Sequence, residues 1–199
     1  MIKIIIVLTS FFSCFYFDNK NWLNKKIDLV PFVHSFIQTV ITNSILIYNP
    51  TLYLNYKEQT EIVYILPLLV GFGYSLYELY NSIKDKKFEY IIHGLIIFLI
   101  GCVGFLTTEN ISPFCNYAFM TETSTFFLNL RPLKIAMIDF GFIGTFIFYR
   151  LVLFPWITYY YIDNLYAKML GIGFFTLNLY WFVLIAKKSY KTYLKGKAT

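Results

Sequence analysis

Long runs almost free of charge recur from one end of this chain to the other. They lie at 2–17, 28–48, 61–82, 88–107, 135–156 and 166–186. A helix needs ~20 mostly apolar residues to cross a hydrocarbon layer ~30 Å thick at ~1.5 Å per residue. These runs meet or approach that length, so membrane-spanning helices are the expected form. A transmembrane barrel would alternate in polarity over ~10-residue strands, whereas these runs are apolar on all sides. Only 14% of the 199 residues are charged, against roughly a quarter in soluble domains. No polar block is long enough to form a soluble domain beside the runs.

A further segment, 113–129, starts at Pro113 and carries Asn116, Glu122 and Asn129, so hydropathy alone rates it poorly. The lysines argue for it. Lys and Arg concentrate on the cytoplasmic side of membrane proteins. With seven crossings and a cytoplasmic C-terminus, that side receives the clusters at Lys20–Lys26, Lys84–Lys87, Arg131–Lys134 and Lys187–Lys197. The other side receives only Lys3, Lys57 and Lys168, and Arg150 falls within a span. Without the fifth crossing, Lys84–Lys87 would face the wrong way. The expected fold class is therefore an all-α bundle of about seven transmembrane helices, with the N-terminus lumenal or exterior.

The first segment is expected to be an uncleaved anchor. A signal peptide with Lys3, a short apolar stretch and Ser13-Cys14 is the competing reading. The expected layout is an anchor over 1–21, a six-helix domain over 22–186 and a basic cytoplasmic tail over 187–199. The net charge of +6 follows from this topology and attraction to anionic lipid, with no nucleic acid required. Lys195 and Lys197, close to the C-terminus, resemble a dilysine retrieval signal that coat proteins would read, which would place the chain in the endoplasmic reticulum; the alternative is an ordinary basic flank after the last span. Asn110-Ile111-Ser112 is a glycosylation sequon placed on the lumenal side.

Neither a metal nor a cofactor is expected. Cys14, Cys102 and Cys115 are far apart, His34 and His93 are the only histidines, and Walker, Rossmann and HExxH patterns are missing. Gly71-Phe72-Gly73 and Gly171-Ile172-Gly173 lie in apolar runs and read as packing glycines.

Polar side chains inside a span cost roughly 2.5–3.5 kcal/mol when charged and central, so they mark interior contacts or sites. His34, beside Ser35 in the second span, suits an interhelical hydrogen bond or proton transfer. Glu78 is placed to reach the interface and pair with Lys84 or Lys86, or to join a site. His93, early in the fourth span, is a candidate general base or hydrogen-bond donor. Glu122, Thr125 and Asn129 are spaced by three and four, which puts them on one helical stripe; Ser124 falls off it. Arg131 ends that segment. Asp139 and Arg150 are eleven residues apart, ~16 Å along a helix, too far to pair directly. Arg150 can snorkel, or neutralise a buried carboxylate or a lipid phosphate.

The run Glu122-Thr123-Ser124-Thr125-Phe126-Phe127-Leu128-Asn129-Leu130-Arg131 resembles the signature of TLC-domain membrane proteins, close to E-x-S-T-P-F-L-N-x-R. Trp22, His34, Gly73-Tyr74-Ser75-Leu76-Tyr77-Glu78, His93, Phe148-Tyr149-Arg150 and Pro155 follow the family's order. A Phe replaces the family's proline at Phe126, and its His-His pair is His93-Gly94 here. The H-D-x-x-D motif of ceramide synthases is absent, so the resemblance is to the small members that are not ceramide synthases. It implies a helical bundle around a lipid-accessible cavity and a role in lipid handling. The expected ligands are membrane lipids, held by His34, Glu78, His93, Glu122, Thr125, Asn129, Arg131 and Arg150. The alternatives are an acyltransferase-like enzyme with His93 as general base, and an endoplasmic-reticulum trafficking adaptor.

Overall fold

The computed structural model describes residues 2–18, 21–22, 27–48, 62–106, 118–161 and 165–197. Eight α-helices of eight or more residues carry the described fold: α1 (Ile2–Asp18), α2 (Leu29–Tyr48), α3 (Ile62–Lys84), α4 (Phe88–Leu106), α5 (Glu122–Leu130), α6 (Ala136–Thr145), α7 (Phe154–Tyr161) and α8 (Leu165–Lys197). A π-helical segment, Phe146–Leu153, joins α6 to α7 without a break, so these three pieces form one rod. The all-α expectation holds, with one small addition. Two-residue strands, β1 (Asn21–Trp22) and β2 (Ile27–Asp28), pair antiparallel and tie the end of α1 to the start of α2.

Three stretches are long and apolar enough to cross a membrane: Leu29–Tyr48, Ala136–Tyr160 and Leu165–Tyr190. Their side chains are not hidden inside the protein; only 17% of the most apolar window in the last of them is buried. Met137, Phe140, Tyr159, Tyr166 and Met169 all point outward. An apolar surface of this extent in water would drive association, whereas hydrocarbon solvates it. Outward-facing Trp156, Tyr159, Tyr160 and Tyr166 gather at one end of the bundle, a common placement for amphipathic rings at a membrane interface.

Neighbouring helices close a ring. α2 packs on α3, α3 on α4, α4 on α8, α8 on α7 and the π segment, the π segment on α5, and α5 back on α2. α1 lies outside the ring against α3 and α2. Close approach depends on small residues. A Cβ at Gly73 would lie 2.5 Å from the Val7 carbonyl oxygen, one at Gly71 2.1 Å from the Phe119 ring, and one at Gly171 2.5 Å from Thr158 Cγ2. The packing role expected of these glycines fits the three, but Gly173 faces open space.

The segment expected over 113–129 is a composite in its described part. A helical turn at 118–120 ends at Thr121, whose hydroxyl donates to the Ala118 carbonyl (2.5 Å), and α5 follows for nine residues. α5 alone spans only about 14 Å. Arg131-Pro132-Leu133 then forms a 3-10 turn that Lys134 ends in the left-handed region (φ 57°). The tail expected to begin at 187 is not a separate element, because α8 continues to Lys197. Asn110, Lys57 and Cys115 lie outside the described residues.

The ring is plugged at one end and hollow at the other. Leu68, Ile100, Ala118, Phe119, Phe154 and Phe174 fill the end remote from Lys84. Beside them, Tyr149 donates to Asn43 Oδ1 (2.7 Å) and Asn43 Nδ2 donates to Thr123 Oγ1 (3.1 Å), which joins α2, α5 and the π segment.

Candidate functional site

The hollow end holds a cavity of about 210 Å³ between α3, α4, α5, the π segment and α8. Among its polar lining residues is Arg150, only 4% exposed. The π segment places Phe146 and Arg150 on its inner side; such windings are frequent at functional sites. Arg150 Nε donates to Ser124 Oγ (2.6 Å) and the Thr121 carbonyl (3.3 Å). Nη1 donates to Asn178 Oδ1 (2.9 Å) and Nη2 to Thr125 Oγ1 (2.7 Å). Glu122 Oε1 stands 3.9 Å from Nη2, an ion-pair distance without a hydrogen bond. The Phe146 and Trp181 rings lie 5.4 and 5.8 Å from the guanidinium carbon. A guanidinium has five N–H groups, so Nη1 and Nη2 each keep one beyond these bonds to the described residues.

A second polar pair stands at the other side of the cavity. His93 Nδ1 donates to Glu78 Oε2 at 3.1 Å, and both side chains are largely buried. A carboxylate on Nδ1 fixes the tautomer in which Nε2 carries the lone pair. Among the described residues Nε2 is buried without a hydrogen-bond partner. A buried, unpaired ring nitrogen costs free energy, and here it belongs to a residue that lines a cavity. Trp181 packs against the imidazole at 5.2 Å.

The structure thus brings together Glu78, His93, Glu122, Thr125 and Arg150 of the residues selected from sequence. The other three lie elsewhere. Asn129 Nδ2 donates to Ser35 Oγ (3.1 Å) and bonds α5 to α2. Arg131 Nε pairs with Asp139 Oδ1 (2.6 Å) in a partly exposed contact and lies over the Phe142 ring. His34 stacks on Tyr74 with ring centres 3.7 Å apart and lines a different cavity.

Several local expectations are corrected. Glu78 pairs with His93 rather than with Lys84 or Lys86, because the α3–α4 turn sets the two helices side by side. Arg150 does not snorkel; its bonds hold it inside the ring. The proposed stripe divides: Glu122 and Thr125 face Arg150, and Asn129, a turn further on, faces α2. Ser124, which the stripe left out, accepts one of the shortest bonds from Arg150. His34 makes no interhelical hydrogen bond among the described residues, and its neighbour Ser35 does. Asn178 and Trp181 were not selected from sequence, although a lone Asn in an apolar run was a usable signal.

Among the described residues no group of three His, Cys, Asp or Glu side chains could hold a metal ion. Comparison with protein-family models, with curated proteins and with solved structures finds no match to this chain. The fold and cavity therefore define its class directly: an all-α protein with three helices fit to cross a membrane and a polar cavity within its helical ring.

Proposed function

We propose that this chain is a seven-span integral membrane protein that binds, senses or moves lipids and so influences membrane lipid composition. The observation that carries the reading is the unpartnered His93 Nε2 in a cavity that also holds a buried guanidinium with spare N–H groups. A lipid head group with oxygen acceptors and a hydroxyl suits both. Glu78 and His93 sit within about 9 Å of the Lys84–Lys87 turn along their helices, so the head group would enter from the leaflet on that side. By the lysine distribution that side is cytoplasmic and the N-terminus lumenal. The order of motifs supports kinship of 22–186 with the TLC-domain family, whose small members the chain resembles most.

The test is photolabelling of the full chain in nanodiscs with a diazirine-bearing phospholipid. Labelled peptides from α8 around Trp181–Ile185 are expected, and His93→Leu should weaken them. Labelling no higher than that of an unrelated multi-span protein would refute the reading.

A second reading rests on the Glu78–His93 pair. A carboxylate-oriented imidazole with a free Nε2 is the arrangement of a general base, suited to an acyltransferase-like enzyme acting on a hydroxyl or amine. His93→Ala should then abolish product formation and leave the fold intact; equal activity would sink it. The endoplasmic reticulum is the proposed location, with coat proteins reading Lys195 and Lys197. Mutating both to Ser should release the protein, and unchanged location would end that idea.

A further inference from the structure

The inner cavity is asymmetric in what it leaves unbonded. One side holds donors. Arg150 Nη1 and Nη2 each keep an N–H beyond their bonds to the described residues. Asn178, whose Oδ1 receives Nη1, is fully buried, and its Nδ2 has no hydrogen-bond partner among the described residues. The other side holds an acceptor, Nε2 of His93, a residue only 8% exposed. Buried polar groups left unmet are costly. Trp181 touches both sides, with its ring 5.2 Å from the imidazole and 5.8 Å from the guanidinium carbon. One head group is therefore long enough to reach both.

The charges are unequal as well. Glu122 stands at ion-pair distance from Arg150 and offsets it. Glu78 is bonded by a neutral imidazole, so the lining carries two carboxylates against one guanidinium. A phosphate suits the donor side, because its oxygens accept several N–H bonds and pair with a guanidinium. On the Nε2 side a hydroxyl donates a proton but brings no charge to Glu78. A quaternary ammonium brings the charge but has no N–H for Nε2. An ammonium that retains N–H groups supplies both. A serine head would add a further carboxylate, desolvated where negative charge is already in excess. At about 210 Å³ the cavity is smaller than sites that enclose a whole small molecule, about 300–1,000 Å³. It has room for a head group and not for chains. Leu128 and Leu184 line it and are also exposed on the outside of the ring, which gives the chains an apolar way out.

We infer that the inner cavity selects a zwitterionic phospholipid head in which a phosphate is linked to an N–H-bearing ammonium, as in an ethanolamine head. The phosphate accepts from Arg150 Nη1 and Nη2, with Asn178 beside them. The ammonium donates to His93 Nε2 and faces the Glu78 side. The inference rests on the lipid-binding reading above and names the head group of that same site.

The test uses the full chain in nanodiscs and phospholipids that share one diazirine-bearing chain and differ only in the head: ethanolamine, choline or glycerol. Label on α8 around Trp181–Ile185 should be about tenfold stronger with ethanolamine than with choline or glycerol, the effect of one buried group left unmet. Glu78→Gln retains an acceptor for His93 Nδ1 and removes the charge. It should bring label from the glycerol lipid up to that from the ethanolamine lipid, and that persistent label also reports a folded site. An unlabelled long-chain amine, which lacks the phosphate, should compete about tenfold more weakly than unlabelled ethanolamine lipid. Equal label from all heads, stronger label from choline, a preference unchanged in Glu78→Gln, or equal competition by the amine would overturn the inference and leave the lipid-binding reading standing. Label no higher than that of an unrelated multi-span protein with every head would overturn both.

Discussion

Replacing Arg150 by Met tests the central feature of the ring. The substitution keeps side-chain length and removes the bonds to Ser124, Thr125 and Asn178. Interhelical hydrogen bonds in membranes average about 0.6 kcal/mol, so three account for about 2 kcal/mol. The larger consequence is at Glu122, which is buried and loses the guanidinium 3.9 Å from it. Removing one partner of a buried ion pair costs about 3–5 kcal/mol in total. The equilibrium between folded and SDS-unfolded protein in mixed micelles should therefore shift by at least ~100-fold. Glu122→Leu in the same chain removes the stranded carboxylate, so the double variant should lose at least ~1 kcal/mol less than the sum of the singles. A loss below ~1 kcal/mol for Arg150→Met, or strict additivity, would refute the claim that Glu122 and Arg150 form one buried electrostatic unit.

Three other perturbations probe different levels of the structure. Gly73→Ala would place a Cβ against the Val7 backbone, which cannot rotate away; a loss of about 1–3 kcal/mol is expected. Gly173→Ala meets open space and should stay within about 0.5 kcal/mol, so equal effects would contradict the packing argument. Nitrogen-15 NMR of His93 should show the proton on Nδ1, and Glu78→Leu should redistribute it to Nε2; a wild-type signal from protonated Nε2 would rule out a bare base. Outside the ring, the Lys87 ammonium donates to Asp85 at 2.9 Å and holds its carboxyl below the usual value. The interaction is present above the ordinary carboxylate pKa and is lost as pH falls through the lowered one. Carbon-13 titration should show this, with Lys87→Ala restoring the ordinary value and salt weakening the shift.

Apolar length is legible in the sequence because it depends on local chemistry. Apolar runs of spanning length dictated helices, and α2 and the rods at Ala136–Tyr160 and Leu165–Tyr190 follow from them. The same logic marked buried polar residues as costly, which selected Glu78, His93, Glu122, Thr125 and Arg150. It mis-set their partners. Glu78 has lysines nearby in sequence but meets His93 across the α3–α4 turn. Arg150 and Asp139, too far apart on one rod to pair, each find a partner on or next to α5, and the carboxylate beside Arg150 is Glu122.

Sequence by itself determined that these helices form and that some of their polar groups must find interior partners, because both follow from transfer free energies of individual side chains. It could not decide which helices touch. The π winding that turns Arg150 inward, the stack of His34 on Tyr74 that separates two cavities, and the division of the α5 stripe between Arg150 and α2 all depend on the packed ring. Those features arise between segments far apart in the chain, where contact is set by the closest approach that small residues such as Gly73 and Gly171 permit.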